Sequence, residues 1–189
     1  MTKTMKAILL GLTAYLPLPA GAVVVSLTPS TTDITVGDLL TVDIVADIPL
    51  TEPVLGWGLD LDNASGLLTA TGSPLIGSAW IPAFGFDGDG LAGLAFPLPV
   101  VGDDTLLATL TFEAVGAGTA LLMPGYTATD LTEGFALSPF DFASTSFTGL
   151  SLTIKEASFT VPEPPTALLL ALCGAGFGMK HYRRRKRRQ

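Results

Sequence analysis

The sequence of 189 residues contains one histidine and one cysteine, and neither lies in its central part. Cys173 and His181 both fall close to the C-terminus. A Ser-His-Asp triad, a Cys-His nucleophile and a histidine-based zinc site are therefore excluded for the residues that precede them. Those residues also contain no pair of cysteines for a disulfide, so a domain there depends on a hydrophobic core, for which the chain is long enough.

Basic residues are equally scarce in the central part. Between Asp33 and Glu163 there are 17 acidic residues and a single basic one, Lys155, which gives a formal charge of −16. Such an acidic body repels nucleic acid and anionic lipid surfaces. We therefore expect no nucleic-acid partner. The remaining lysines and arginines lie at the two chain ends, and we interpret them as topology signals.

Residues 1–22 have the features of a secretory signal peptide. Lys3 and Lys6 precede the apolar run Ala7–Leu18, which Pro17 interrupts and which is too short to span a membrane comfortably. Ala20-Gly21-Ala22 places small residues at positions −3 and −1 of a cleavage site before Val23. We predict recognition by the secretion machinery and signal peptidase, and a retained N-terminal anchor is the alternative.

After Val23 the sequence alternates with a period of two. Val23–Leu27, Leu40–Ala46 and Ala108–Ala114 each place apolar residues on one face and more polar residues on the other, which is typical of half-buried antiparallel strands. In the third run the pattern places Leu107 on the outward face. Thr145–Ile154 is predicted as one last strand. No apolar stripe of helical spacing occurs, so we predict an all-β sandwich; a disordered acidic stalk conflicts with the apolar content.

Carboxylates are the remaining candidates for chemistry in this body. Asp60 and Asp62 share one face of a predicted strand, and Asn63 follows them in a turn. Paired carboxylates perform general acid–base catalysis when their pKa values are pushed apart. Solvated surface carboxylates are the better interpretation. We predict a non-enzymatic protein in which these three residues contact a partner; a carboxylate-dependent glycoside hydrolase is the enzymatic alternative.

A second acidic pair, Asp87 and Asp89, alternates with glycines in a predicted hairpin tip. Closely spaced aspartates suit calcium, but the segment lacks the third acidic position and the glutamate of an EF-hand loop. We favour a plain Asp-Gly turn and no cofactor, with calcium at these two residues as the alternative.

Aromatic side chains offer a further route to binding. Trp57 alternates with inward residues and is predicted to lie in the core, whereas Trp80 and Phe84 fall in a segment that Pro74 and Pro82 exclude from a central strand. Exposed aromatic faces pack against sugars. Trp80 and Phe84 are therefore the candidates for contact with a partner, although packing in the core or within the loop is the favoured interpretation.

The last 29 residues have three parts in fixed order. The Pro-rich motif Val161-Pro162-Glu163-Pro164 is followed by the apolar run Thr166–Met179, which precedes the basic stop formed by Arg183, Arg184, Arg185, Lys186, Arg187 and Arg188. Extended to Tyr182, the run spans about 25 Å as a helix at 1.5 Å per residue, enough for a marginal membrane span when lysine and arginine snorkel. The positive-inside rule places the basic stop in the cytoplasm. A buried core helix is the alternative.

This arrangement resembles the PEP-CTERM sorting signal. The resemblance implies recognition of Pro162, Glu163 and Pro164 by an integral-membrane exosortase, processing near the inner membrane, and delivery to the cell surface or matrix of a Gram-negative bacterium that makes extracellular polysaccharide. The apolar run is slightly shorter than is typical of the family. The marginal span suits a segment that is removed after export.

A second resemblance concerns the body. Val36-Gly37-Asp38, Leu55–Leu68 (LGWGLDLDNASGLL) and Leu107–Leu122 (LATLTFEAVGAGTALL) together resemble a cohesin-type domain. This implies a jelly-roll β-sandwich over 23–154, joined by a linker at 155–160 to the sorting signal at 161–189. It also implies a binding or adhesion module for a dockerin-like protein or an extracellular polysaccharide, with a carbohydrate-binding module as the alternative. Leu61-Asp62-Asn63-Ala64 departs from the Tyr-Asp-Pro that is usual in the family.

Overall fold

The computed structural model describes residues 21–83, 89–139 and 141–158. The predicted signal peptide, the sorting signal, Phe84 and Asp87 lie outside the described residues. The chain divides into two compact units, Met1–Glu156 and Ala157–Gln189, and only 157 and 158 are described from the second. Among the described residues, no helix is long and apolar enough to cross a membrane.

Every regular element of the described residues is a β-strand, which confirms the all-β class. We number the strands in chain order: β1 (Val23–Pro29), β2 (Ile34–Thr35), β3 (Leu39–Ile48), β4 (Val54–Gly58), β5 (Asp60–Asp62), β6 (Leu68–Ala70), β7 (Leu75–Ile76), β8 (Ile81–Pro82), β9 (Ala92–Leu94), β10 (Gly102–Ala114), β11 (Gly118–Gly125), β12 (Gly134–Leu137), β13 (Asp141–Phe142), β14 (Thr145–Phe147) and β15 (Leu150–Lys155).

The strands form a sandwich. A six-stranded sheet has the order β14-β1-β3-β10-β6, with β7 also paired to β10. A four-stranded sheet (β2-β15-β11-β5) and a five-stranded sheet (β13-β12-β4-β9-β8) form the opposing layer. Only the buried Leu59 separates β4 from β5, so the chain passes directly from one of these two sheets to the other. Buried residues from all three sheets belong to one hydrophobic cluster.

Alternation in the sequence accounts for the core of the six-stranded sheet. The predicted inward residues of β1, β3 and β10 are buried, and polar residues between them are exposed or half-buried. Val42, Ile44 and Ala46, for example, have no exposed surface. Fully burying a branched aliphatic side chain stabilises the fold by about 1.5–3 kcal/mol. These residues therefore fix the register of the sheet.

Two strand predictions are wrong in detail. Leu107 is fully buried rather than outward, because the pairing of β10 with β3 shifts by one residue between Leu106 and Ala108. A β-bulge of this kind places two consecutive side chains on the inner side. The predicted single strand Thr145–Ile154 is two strands in different sheets, since β14 pairs with β1 and β15 pairs with β11. The break falls at Gly149, where an added Cβ would lie 2.7 Å from Met123 Cε.

Candidate functional site

The outer face of the five-stranded sheet has almost no side chains at its centre. Gly56 and Gly58 of β4 lie between Ala136 and Gly134 of β12 on one side and Leu94 and Ala92 of β9 on the other. Because side chains alternate across a strand, the neighbouring Trp57 and Phe135 point into the core. The floor of this face is therefore mostly backbone and methyl groups.

Exposed apolar side chains flank this floor. Leu94, Phe142 and Leu131 are 55%, 49% and 84% exposed, and Ile81 on the edge strand β8 is 52% exposed. Leu94, Leu131 and Phe142 line an open cavity of about 250 Å³ together with the small residues. We call it the groove, and its lining residues are Gly56, Trp57, Ala83, Ala92, Leu94, Leu131, Thr132, Gly134, Ala136 and Phe142.

Glycine is required in the floor because a loop lies directly on it. A Cβ added to Gly58 would be 2.2 Å from the carbonyl oxygen of Thr132, and one added to Gly56 would be 2.8 Å from Leu94 Cδ2. The first contact is with backbone and leaves no room for a side chain to move aside. The loop 127–132 thus lies against the sheet because Gly58 has no side chain to keep it away.

Hydrogen bonds to carboxylates hold this loop in place. Asp130 Oδ1 accepts bonds from the backbone N and the Oγ1 of Thr132, at 2.8 and 2.6 Å, and these bonds hold the pKa of the Asp130 carboxyl below its ordinary value. Glu133 is buried and accepts a bond from the backbone N of Thr127. Thr127 in turn donates its hydroxyl to Asp60 Oδ2, at 3.0 Å. These hydrogen bonds therefore hold the loop that carries Leu131 at both of its ends.

The structure gives local roles to two residues that the sequence suggested for partner contact. Asp60 holds the loop 127–132, as described above, and Asp62 is exposed opposite Met123 of β11. Asn63 stabilises its own turn, because its Nδ2 donates to the carbonyl of Leu68 at 2.6 Å and its Oδ1 accepts from Ser65 Oγ at 3.2 Å. Asp60 and Asn63 thus position backbone, whereas Asp62 remains accessible.

No group of three or more metal-ligating side chains occurs in the described part of the chain, which includes Asp89. Asp89 Oδ1 accepts a hydrogen bond from the backbone N of Leu91 at 2.7 Å, as expected for a residue in a turn. Its predicted partner Asp87 lies outside the described residues, so the pair itself stays a prediction.

Trp80 packs in the core, which is the favoured interpretation of the sequence, and it is not an exposed contact residue. Trp80 is 5% exposed, its Nε1 donates to the carbonyl of Leu106 at 3.0 Å, and its ring meets Trp57 edge to face with centroids 6.2 Å apart. The space for both rings comes from Gly93, where an added Cβ would lie 2.7 Å from Trp57 Nε1. Trp57 is buried as predicted, and Phe84 lies outside the described residues.

Of the groove residues, sequence reasoning singled out only Trp57, and it did so as a core residue. The available signal was the alternation of Gly56 and Gly58 with Leu55, Trp57 and Leu59, which marks a strand whose outer face lacks side chains. Glycine in a strand interior often marks a place where another backbone approaches closely.

Comparison with solved structures identifies the fold. The cohesin module of a family 33 glycoside hydrolase from Clostridium perfringens superposes with a TM-score of 0.55 at 9% identity, over 72% of this chain and 100% of the module. The seventh ScaB type I cohesin of Pseudobacteroides cellulosolvens gives 0.54 at 14% identity, over 76% and 98%. The sixth cohesin of Acetivibrio cellulolyticus scaffoldin B, solved in complex with a Cel5 dockerin, gives 0.51 at 14% identity, over 72% and 99%.

The body is therefore a cohesin-like β-sandwich. At these identities the likeness concerns the fold, and it covers the full length or nearly the full length of each cohesin. No family model matches the sequence, and no match was found among curated proteins. The binding properties of this chain therefore have to be argued from its own surface.

Proposed function

We propose that this chain is an exported cell-surface or biofilm-matrix protein whose cohesin-like sandwich binds a protein partner through the groove. The observation that carries the proposal is the glycine and alanine floor flanked by exposed Leu94, Leu131 and Phe142. A floor without side chains admits close approach, and the apolar walls gain stability when a partner covers them.

The charges around the groove indicate the chemistry of the partner. Asp130 precedes Leu131 and Asp141 precedes Phe142, while Lys155 is the only basic residue between Asp33 and Glu163. The fitting partner is a protein segment with protruding apolar side chains, flanked by lysine or arginine. One of the similar cohesins is described in complex with a dockerin, which supports a protein partner for this fold.

A polysaccharide is the less suitable partner for this surface. A polysaccharide chain lies across an open surface, where exposed aromatic faces with polar groups around them bind it. Trp57 and Trp80 are buried, and the exposed walls of the groove are two leucines and one phenylalanine over a floor of backbone and methyl groups. Polysaccharide binding therefore serves as the competing outcome of the test.

Photo-cross-linking in the native host tests the proposal. A photoreactive amino acid at Leu94 should capture one defined protein, whereas the same group at Leu121, which is 44% exposed on the four-stranded sheet, should not. Capture of the same protein from both positions, or of none from Leu94, would contradict the proposal. Binding of the purified protein to a glycan array that is lost in Leu94→Ser would reassign the groove to polysaccharide.

Export and processing form the second part of the proposal. The motif Pro162-Glu163-Pro164, the apolar run and the basic stop support recognition by an exosortase and a temporary hold in the inner membrane. Cleavage by signal peptidase before Val23 would leave β1 whole, since β1 begins at that residue. The mature protein would then consist mainly of the acidic sandwich.

Replacement of Pro162, Glu163 and Pro164 by Ala tests the sorting signal. We expect the full-length protein to accumulate in the inner membrane, because the exosortase loses its recognition motif. A matched variant with Ser158 and Thr160 changed to Ala should be processed normally. Unchanged release of the motif variant to the cell surface would sink this part of the proposal.

A further inference from the structure

The six-stranded sheet has an interrupted edge beside β10, where the short strands β6 and β7 pair with it. β6 pairs with β10 at Phe112–Ala114, and β7 pairs with it at Ala108–Thr109. Between the two short strands, Gly72 has a φ of +80° and Pro74 has no N–H to donate. Both residues direct the chain away from the sheet, so no edge strand among the described residues covers β10 continuously.

This interruption opens a second cavity, of about 240 Å³. We call it the edge pocket. Its apolar lining includes Leu91, Leu110 and Phe112, each less than 10% exposed, and its polar lining includes Asn63, Ser73 and Asp89. The edge pocket therefore brings together Asn63 and Asp89. The sequence suggested Asn63 as a partner contact and Asp89, in the calcium alternative, as a metal ligand. None of its lining residues belongs to the groove.

We propose that the edge pocket binds one neutral sugar ring. A pyranose has an apolar C–H face, which packs against aliphatic and aromatic side chains, and a hydroxyl rim, which matches amide, hydroxyl and carboxylate groups. The volume lies below the roughly 300 Å³ at which pockets for drug-sized ligands begin, so it accommodates a single ring rather than a longer chain.

The charge of the site selects against acidic sugars. Among the described residues, no lysine or arginine lines the edge pocket, whereas Asp89 does. The residues from Asp33 to Glu163 carry a formal charge of −16, so a uronate meets repulsion without a compensating cation. The proposed contact with the sugar is a direct one, because the described residues contain no group of three or more metal-ligating side chains.

The test uses the purified full-length protein in a non-glycosidic detergent, with glucose, galactose, mannose and glucuronate as ligands in saturation-transfer NMR. Ala70→Phe and Ser73→Phe fill the pocket from an exposed strand residue and an exposed loop residue. Thr69→Phe is the matched control, because adjacent residues of a strand point to opposite faces. We expect at least one neutral sugar to bind, with Kd raised about tenfold or more in the two filling variants and unchanged in the control.

Each alternative outcome overturns the proposal in a defined way. Absence of binding by all neutral sugars rejects the ligand class, and glucuronate binding as tightly as the neutral sugars rejects the charge argument. Equal binding by the filling variants places the sugar elsewhere. Loss of binding on addition of EDTA replaces the proposal with a metal-mediated one.

Discussion

The outer faces of the five-stranded and six-stranded sheets differ in what they present to solvent. On the six-stranded sheet, Thr28, Asp43 and Thr109 form a polar row across three strands, and Thr109 Oγ1 donates to Asp43 Oδ1 at 2.6 Å. On the central strands β4, β9 and β12 of the five-stranded sheet, glycines and alanines occupy the equivalent positions, and the exposed side chains are apolar. The two outer faces thus differ most at their centres, which are polar on one sheet and nearly without side chains on the other.

The first prediction separates stability from binding within the five-stranded sheet. Phe135 is fully buried, whereas Phe142, on the neighbouring strand, is 49% exposed. Phe135→Ala should lower the free energy of unfolding by about 3–5 kcal/mol, because it leaves a cavity in the core. Phe142→Ala should change it by less than about 1 kcal/mol but should weaken partner binding. Urea denaturation of both variants measures this contrast; equal destabilisation would place Phe142 in the core.

The second prediction concerns the glycine floor. Gly58→Ala should destabilise the protein by about 1–3 kcal/mol, since the new Cβ cannot fit 2.2 Å from the carbonyl oxygen of Thr132. Gly125→Ala is the control, because a Cβ there has no neighbour within 4 Å. Thermal denaturation compares the two. Equal melting temperatures would mean that the loop 127–132 does not rest on the sheet as described.

The third prediction uses the two tryptophans between the layers. Trp80 Nε1 donates a hydrogen bond to the carbonyl of Leu106, whereas Trp57 Nε1 is buried and has no hydrogen-bond partner among the described residues. Substitution by Phe removes the same atoms from each, so Trp80→Phe should be more destabilising than Trp57→Phe by about 1–2 kcal/mol. Chemical denaturation gives the difference directly. A larger loss for Trp57→Phe would show that its indole N–H has a partner.

The fourth prediction tests whether the polar face is separate from binding. Thr109→Val removes the hydrogen bond to Asp43 and should cost about 0.5–1.5 kcal/mol of stability. Capture of the partner from Leu94 should be unchanged, because Thr109 lies on the six-stranded sheet. Loss of capture with the fold intact would assign the binding surface to the polar face instead.

The smallest expected effect is the response of the loop 127–132 to pH. The hydrogen bonds from Thr132 favour ionised Asp130 and lower its pKa, so their contribution is present above the ordinary value of 3.8 and is lost as the pH falls through the lowered value. The amide chemical shift of Thr132 should therefore titrate with a midpoint below 3.8, and Asp130→Asn should abolish the transition. A midpoint at or above the ordinary value would contradict the loop geometry.

The contrast between the two faces also explains what the sequence could predict. In β1, β3 and β10 a solvated outer face puts polar residues between apolar ones, so the alternation gave both the strands and most of their buried residues. In the five-stranded sheet neither face is polar, and the alternation is between glycine or alanine and large apolar residues. The strands β12 and β13 were accordingly not predicted, although Phe135 has no exposed surface.

The remaining errors come from contacts between residues far apart in the sequence. Trp80 is buried because Gly93 leaves space for its ring and Leu106 accepts its N–H. Gly149 marks the point where the chain leaves one sheet for another, which local periodicity does not reveal. The groove likewise depends on Thr132 lying over Gly58. Such close approaches are determined by tertiary packing rather than by local pattern.

The affinity of the cross-linked partner for two matched variants tests the central claim most directly. Leu94→Ser removes an exposed side chain from the groove, and Leu121→Ser removes one from the four-stranded sheet, at 55% and 44% exposure respectively. If the groove is the docking surface, the first variant should weaken binding by about tenfold or more, equivalent to about 1.4 kcal/mol, and the second should bind as the unchanged protein does. Equal affinities for the two variants, or a loss confined to Leu121→Ser, would contradict the assignment of the groove.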